Sequence, residues 1–136
     1  MNPILRNVLA VVAGIIVGGM VNMALIMSSS SVIPLPEGVN PSDMNSLIEN
    51  MPNFEPKHFL MPFLAHALGT LVGAFLASLI AASHQMKFAL VIAVVFLLGG
   101  IQMVMNLPSP LWFNCVDLGL AYIPMGLLGW KLAGGK

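Results

Sequence analysis

Four runs of apolar residues, each long enough or nearly long enough to cross a bilayer, constrain this chain more than any motif in it. They cover residues 4–27, 58–83, 88–106 and 111–132. A hydrocarbon core about 30 Å thick is spanned by roughly 20 residues of helix rising 1.5 Å each. Inside that core backbone N–H and C=O groups find no water, so each run must satisfy its own as a helix. The composition excludes a water-facing alternative. Only 7% of the 136 residues are charged and 58% are hydrophobic, whereas a soluble domain carries roughly 25% charged residues. The expected fold is therefore all-α: a bundle of four transmembrane helices in two antiparallel hairpins, forming one integral membrane domain over residues 1–136.

Several function classes drop out on composition. Net charge is zero and no basic run occurs, so nucleic acid is not an expected partner. A single cysteine, Cys115, excludes an intramolecular disulfide, a CxxC redox pair and a Cys-rich zinc site. No nucleophile elbow, P-loop, HExxH or dinucleotide fingerprint is present, and an enzyme is not expected. The methionines Met20, Met23, Met27, Met103 and Met105, with His66 and Cys115, suggest a copper site. Methionine as flexible apolar filler explains them more simply. The loop residues Glu37, Asp43, Glu49, Glu55 and His58 lack tight ligand spacing. No metal and no cofactor are expected. The first run is too long for a secretory signal and has no A-x-A-like site.

Residues 28–57 form the one long polar stretch, read as a loop. Ser28 to Ser31 leave the first span. Asn40 before Pro41 predicts a helix start, with Asp43 in its first turn. Met44, Leu47, Ile48 and Met51 then share one apolar face. A short amphipathic helix ending at Pro52 is expected to fold over the bundle. His84 to Lys87 predict a tight turn, and Pro108 and Pro110 another. Trp112 and Trp130 bracket the last span, separated by about 27 Å of helix rise, which suits two interfacial belts.

Small residues mark where helices meet in lipid. Gly14 and Gly18 are spaced by four, as are Ala65, Gly69, Gly73, Ala77 and Ala81, and Gly99 lies in the third span. Gly14, Gly18, Gly69, Gly73 and Gly99 are the expected packing glycines.

Polar residues inside the spans lie toward the loop end. Asn22, His66, Gln102 and Asp117 fall roughly 7–10 Å below that boundary, and Asn114 nearer ~5 Å. Asn22 continues the Gly14–Gly18 stripe. Gly99, Gln102 and Asn106 share a face, as do Asn114, Asp117, Ala121 and Pro124, while His66 has Gly69, Thr70 and Gly73 on its side. All five are expected to point into the bundle as one polar shelf. An aspartate at a helix centre costs about 2.5–3.5 kcal/mol on insertion scales, so Asp117 is the first candidate for a functional role. A neutral His66–Asp117 pair, an ion pair, and two groups each bonded to amides all remain open at this level.

The leading expectation is a non-enzymatic structural or accessory membrane protein. Its partners would be the lipid bilayer and either a second copy or a larger membrane complex, and the shelf would fix its packing. The rival is a proton- or cation-coupled small-solute transporter or pore subunit, with Asp117 protonatable, His66 its relay and the amides as ligands. A third reading is a lipid- or quinone-binding protein with a pocket under the 28–57 loop.

Arg6, Lys87, Lys131 and Lys136 fall at one end and only Lys57 at the other. The positive-inside rule then puts both termini in the cytoplasm of a multi-pass protein in a bacterial-type plasma (inner) membrane. With Cys115 replaced by Ser, Glu37→Cys should react with an impermeant maleimide added to intact cells. Lys87→Cys should react only after lysis. The opposite pattern would invert the topology.

Overall fold

The computed structural model describes residues 1–135, which are helical with no strand among them. Helix α1 spans Pro3–Val32, α2 Met44–Asn50, α3 Leu60–Ile80, α4 Gln85–Asn106, α5 Leu111–Leu120 and α6 Ile123–Leu132. Helices α1, α3 with the turn before it, α4, and α5 with α6 give four segments long and apolar enough to cross a membrane. This is a multi-pass membrane protein with two antiparallel hairpins. The loop between α1 and α3 lies at one end of the bundle. The N-terminus and the α3–α4 turn lie at the other, the terminal end.

Helix α1 starts on an N-cap. The Asn2 side chain accepts the Ile4 N–H at 2.8 Å, and Pro3 opens the helix, where a missing N–H is tolerated. The helix does not stop near Met27 but continues through all four serines. The Ser28 and Ser29 hydroxyls donate to the carbonyls of Leu25 at 3.1 Å and Ile26 at 2.7 Å. Such back-bonding satisfies a hydroxyl without leaving the helix. Its 30 residues reach about 45 Å, so the serine turn stands clear of the hydrocarbon core.

The amphipathic helix is shorter than expected at its start. Asn40 closes a local turn by accepting the Ser42 N–H at 3.0 Å, and Asp43 caps α2 by accepting from Asn45 at 3.1 Å. Short 3-10 turns at Met51–Asn53 and Pro56–Phe59 lead into α3. Within the second of these His58 fastens the loop. Its Nδ1 accepts the Glu55 N–H at 2.8 Å, so Nε2 carries the proton and donates to the Pro34 carbonyl at 3.1 Å.

The α3–α4 turn comes earlier than residues 84–87. The chain reverses over 81–84, and α4 begins at Gln85 because His84 adopts a left-handed conformation with φ 52°. Asn7 and Arg6 of α1 tie this turn down. The Asn7 amide oxygen accepts the Ala82 N–H at 2.8 Å, and Arg6 Nε donates to the Ile80 carbonyl. Arg6 therefore shares the terminal end with this turn and with Lys87 in the first turn of α4. Lys136 lies outside the described residues.

Helix α3 is the centre of the bundle and touches α1, α4, α5 and α6. Its stripe of Ala65, Gly69, Gly73 and Ala77, continued by Ala81 just past its end, is buried throughout. Against it α1 approaches backbone to backbone. A Cβ on Gly14 would stand 2.7 Å from the Gly73 carbonyl oxygen, and one on Gly18 would stand 2.6 Å from that of Gly69. The converse holds for Gly69 and Gly73, which face the carbonyls of Gly18 and Gly14. The outer faces of α1 and α4 carry exposed Val8, Val12, Ile16, Val91, Val94 and Leu98, as lipid contact requires.

The expected packing glycine Gly99 has open space around its Cα, whereas its neighbour Gly100 is buried and faces the Tyr122 ring. One residue turns a helical face by about 100°, enough to exchange a lipid-facing position for an interior one. On α6, Gly126 meets Ala93, and Gly129 meets the backbone of Leu71 and Phe75.

These contacts predict a paired outcome in thermal unfolding in detergent. Gly18→Ala should destabilise by about 1–3 kcal/mol through overpacking. Gly19→Ala, which meets nothing within 4 Å, should be neutral or slightly stabilising.

Candidate functional site

The last span is not one helix. It breaks between α5 and α6 at Ala121 and Tyr122. Pro124 has no N–H to give the Leu120 carbonyl, and its ring crowds that turn. Beyond the break the Tyr122 carbonyl accepts from Gly126 at 2.8 Å, and the helix resumes. On a straight helix Asp117 and Tyr122, five residues apart, would point about 140° away from each other. Across the break the Tyr122 hydroxyl instead donates to Asp117 Oδ2 at 3.2 Å. The Gly100 recess makes this geometry possible, since any Cβ there would strike the Tyr122 hydroxyl and ring.

His66 completes the cluster from α3. Its Nδ1 lies 2.8 Å from Asp117 Oδ1 and 3.0 Å from Oδ2, and its ring stacks on that of Tyr122 with centroids 5.8 Å apart. One proton lies between Nδ1 and Asp117, donated by the ring when Asp117 is ionised and by the carboxyl when it is protonated. Asp117 and Tyr122 are 3% and 2% exposed, while the His66 side chain keeps 19%. The structure thus selects a direct pair from the three arrangements left open by the sequence, and adds a phenol that the sequence reading omits. No pattern of spacing on a regular helix would have paired Tyr122 with Asp117. The usable signal is Pro124 in mid-span beside a buried carboxylate.

The amides do not take part in that pairing. Asn114 bonds locally to Ser109, accepting from its hydroxyl at 3.0 Å and donating to its carbonyl at 3.4 Å. Gln102 and Asn106 are exposed. They do share a face with Gly99, but that face turns away from the bundle. The inward face of α4 is the one carrying Ile92, Phe96 and Gly100. Asn22 sits at the α1–α3 contact, its backbone and Cβ against Gly69. Its Oδ1 is buried and has no hydrogen-bond partner. An unmet buried acceptor costs about 1–3 kcal/mol.

Two cavities meet at His66. The larger holds about 290 Å³ under the loop. Its walls draw on Leu47 and Met51 from the loop, Met61 from α3, Val104 and Leu107 from α4 and Phe113 from α5. His66, Asn114 and Asp117 supply polar groups to it. The smaller holds about 170 Å³ and is lined by Asn22, His66, Phe96, Gly99, Gly100, Met103 and Tyr122. His66, Gly100 and Met103 border both. With Nδ1 committed to Asp117, His66 Nε2 has no protein partner among the described residues and remains for whatever enters. Aromatic rings close the loop end, with Phe59 and Phe113 centroids 4.8 Å apart and Phe59 edge-on to Trp112 at 5.7 Å.

Met20, Met23, Met27 and Met105 face outward, as does Cys115. They do not gather around His66, although Met103 borders its cavities.

Removing one member of the pair should hurt more than removing both. His66→Leu leaves a buried carboxylate short of a donor, an effect of about 3–5 kcal/mol. The double variant His66→Leu/Asp117→Leu should recover most of that stability, because apolar groups of similar size need no partner. Chemical unfolding in detergent reads the difference, and additive losses would contradict the direct pairing. The chain matches no protein-family model, no curated protein and no solved structure.

Proposed function

We propose that this chain is a non-enzymatic membrane protein that binds a small amphiphile of the lipid or quinone class. The ligand occupies the cavity beneath the 28–57 loop, with the Asp117-oriented His66 as its polar anchor. One observation carries this reading. The polar pair does not end in a closed interface but borders an apolar-walled cavity. At about 290 Å³ that cavity reaches the lower edge of the range typical of small-molecule sites, and it has their mix of apolar wall and few polar groups. A pure packing network would leave His66 no open face.

The site also suits entry from the bilayer. Ile26 of α1 and Met103 of α4 line the cavity and are themselves exposed. An acyl or prenyl chain entering between those helices would exchange one apolar surrounding for another. A proton or cation route is supported less well. Toward the terminal end the bundle is filled by Ala74, Ala77, Ala89 and Ile92, with Val11, Ile15 and Phe96 packed against them. That plug holds no ionisable side chain, and the buried Thr70 and Ser78 hydroxyls beside it donate to the carbonyls of His66 and Gln85. The positive-inside count would place the cavity on the outer side of a bacterial-type plasma membrane.

Protein purified in mild detergent should carry about one amphiphile per chain, detected by native mass spectrometry and identified after extraction. Val104→Trp, which fills the cavity wall, should lose it while keeping the helical signal and cooperative unfolding. Wild-type protein that retains nothing, or a Val104→Trp protein that retains as much, would refute the binding reading.

A further inference from the structure

The face of α4 that turns away from the bundle carries one residue that lipid does not suit. Two positions on from Gly100, Gln102 points about 160° away from it, and it is exposed. Asn106, on the same side, stands at the end of α4, where headgroups and water can serve it. Gln102 lies one turn deeper, about 6 Å of helix rise from that end. Its amide has two N–H donors and a carbonyl acceptor, and hydrocarbon offers a partner to none of them.

The residues around it form a seam. Val91, Val95, Leu98, Gln102 and Met105 follow one another at alternating intervals of four and three, and all five are exposed. That repeat keeps one stripe of a helix against a partner through a left-handed crossing of about 20°. In coiled-coil terms Val95 and Gln102 take the a positions, and Val91, Leu98 and Met105 take the d positions. A β-branched residue at a with leucine at d favours two strands, and a single polar residue at a fixes their register.

We infer that two copies of this chain pair along this seam, Gln102 against Gln102. Copies in one membrane insert the same way round. A twofold axis along the membrane normal therefore sets their α4 helices parallel and brings equal positions to equal depth. The amide is complementary to itself in charge, since the N–H edge of each meets the carbonyl of the other. An unrelated partner would have to present a polar group of its own at that depth, whereas a second copy does so by symmetry. Gln102 lines neither cavity, so the pairing is independent of the ligand reading above. The route between Ile26 and Met103 stays clear as well, because Met103 lies about 100° round α4 from Gln102.

The test uses full-length protein carrying Cys115→Ser in phosphatidylcholine vesicles. Leu98→Cys should give a disulfide-linked dimer with a membrane-permeant oxidant. Met20→Cys should not, although it is exposed on α1 at the level of Leu98, as Gly18 faces Phe96 two residues earlier on each helix. A fluorophore on Glu37→Cys, in the exposed loop, counts copies per vesicle by photobleaching steps as the protein is diluted into lipid. Gln102→Leu should raise the dissociation constant about tenfold, the effect of two modest interhelical hydrogen bonds. Because residue 102 points away from the other helices, the same change should leave thermal unfolding of the single chain in detergent unmoved. Single copies at every dilution, or Leu98→Cys linking no better than Met20→Cys, would overturn the pairing. So would a folded Gln102→Leu protein that dissociates at the same dilution as wild type, since the amide then holds nothing.

Discussion

A carboxylate enclosed by apolar helices requires donors, and the geometry of the loop end follows from supplying them to Asp117. One comes from α3, as the His66 ring. The other comes from the same span as Asp117 itself, and a regular helix cannot deliver it. The chain therefore breaks before Pro124, and Tyr122 swings back over Asp117. The break in turn places a phenol where α4 would stand, which only a glycine at position 100 accommodates. Helices α3, α4, α5 and α6 are thus positioned by one side chain. Gly100 has no side chain to offer Asp117, yet it is as necessary to the arrangement as His66.

The second constraint is the lack of a hydrophobic driving force between helices in lipid. Association there depends on close van der Waals approach and interhelical hydrogen bonds. Gly14 and Gly18 of α1 and Gly69 and Gly73 of α3 let backbone meet backbone, and that closeness has a consequence at the site. Asn22 is one helical turn beyond Gly18. The approach that seats Gly18 against Gly69 also carries the Asn22 side chain into the bundle, where its Oδ1 is buried. At the other end of the same helix pair, Arg6 and Asn7 bond to Ile80 and Ala82. These bonds hold the register that the glycines permit.

The spans were legible in the sequence because length and hydropathy decide them. The α3 stripe was legible because small residues every four positions lie on one face by geometry alone. His66 and Asp117 stood out as ionisable groups in apolar runs. The losses have a common origin, since periodicity tells which residues share a face and not which way that face points. Gly99, Gln102 and Asn106 do share one, and it looks outward. Tyr122 was hidden for a related reason, since its partnership with Asp117 exists only across a helix break. The serines at 28–31 misled because a hydroxyl can satisfy itself on the preceding turn as well as in a loop.

The distribution of polar groups along the bundle axis bears on what the molecule does. Near the loop end a buried pair borders two cavities, and the loop is fastened over the larger by His58 to Pro34 and by stacked aromatic rings. In the middle, alanine and isoleucine fill the bundle. At the terminal end, polar side chains serve backbone groups of the α3–α4 turn. A conduit would carry ionisable groups through the middle, where the buried polar side chain is Thr70, whose hydroxyl donates to the His66 carbonyl. A packing network would have no use for the space beside His66. A pocket entered from one end or side and sealed toward the other needs both the space and the plug. It also needs an anchor whose orientation is fixed before the ligand arrives, which is what Asp117 gives His66.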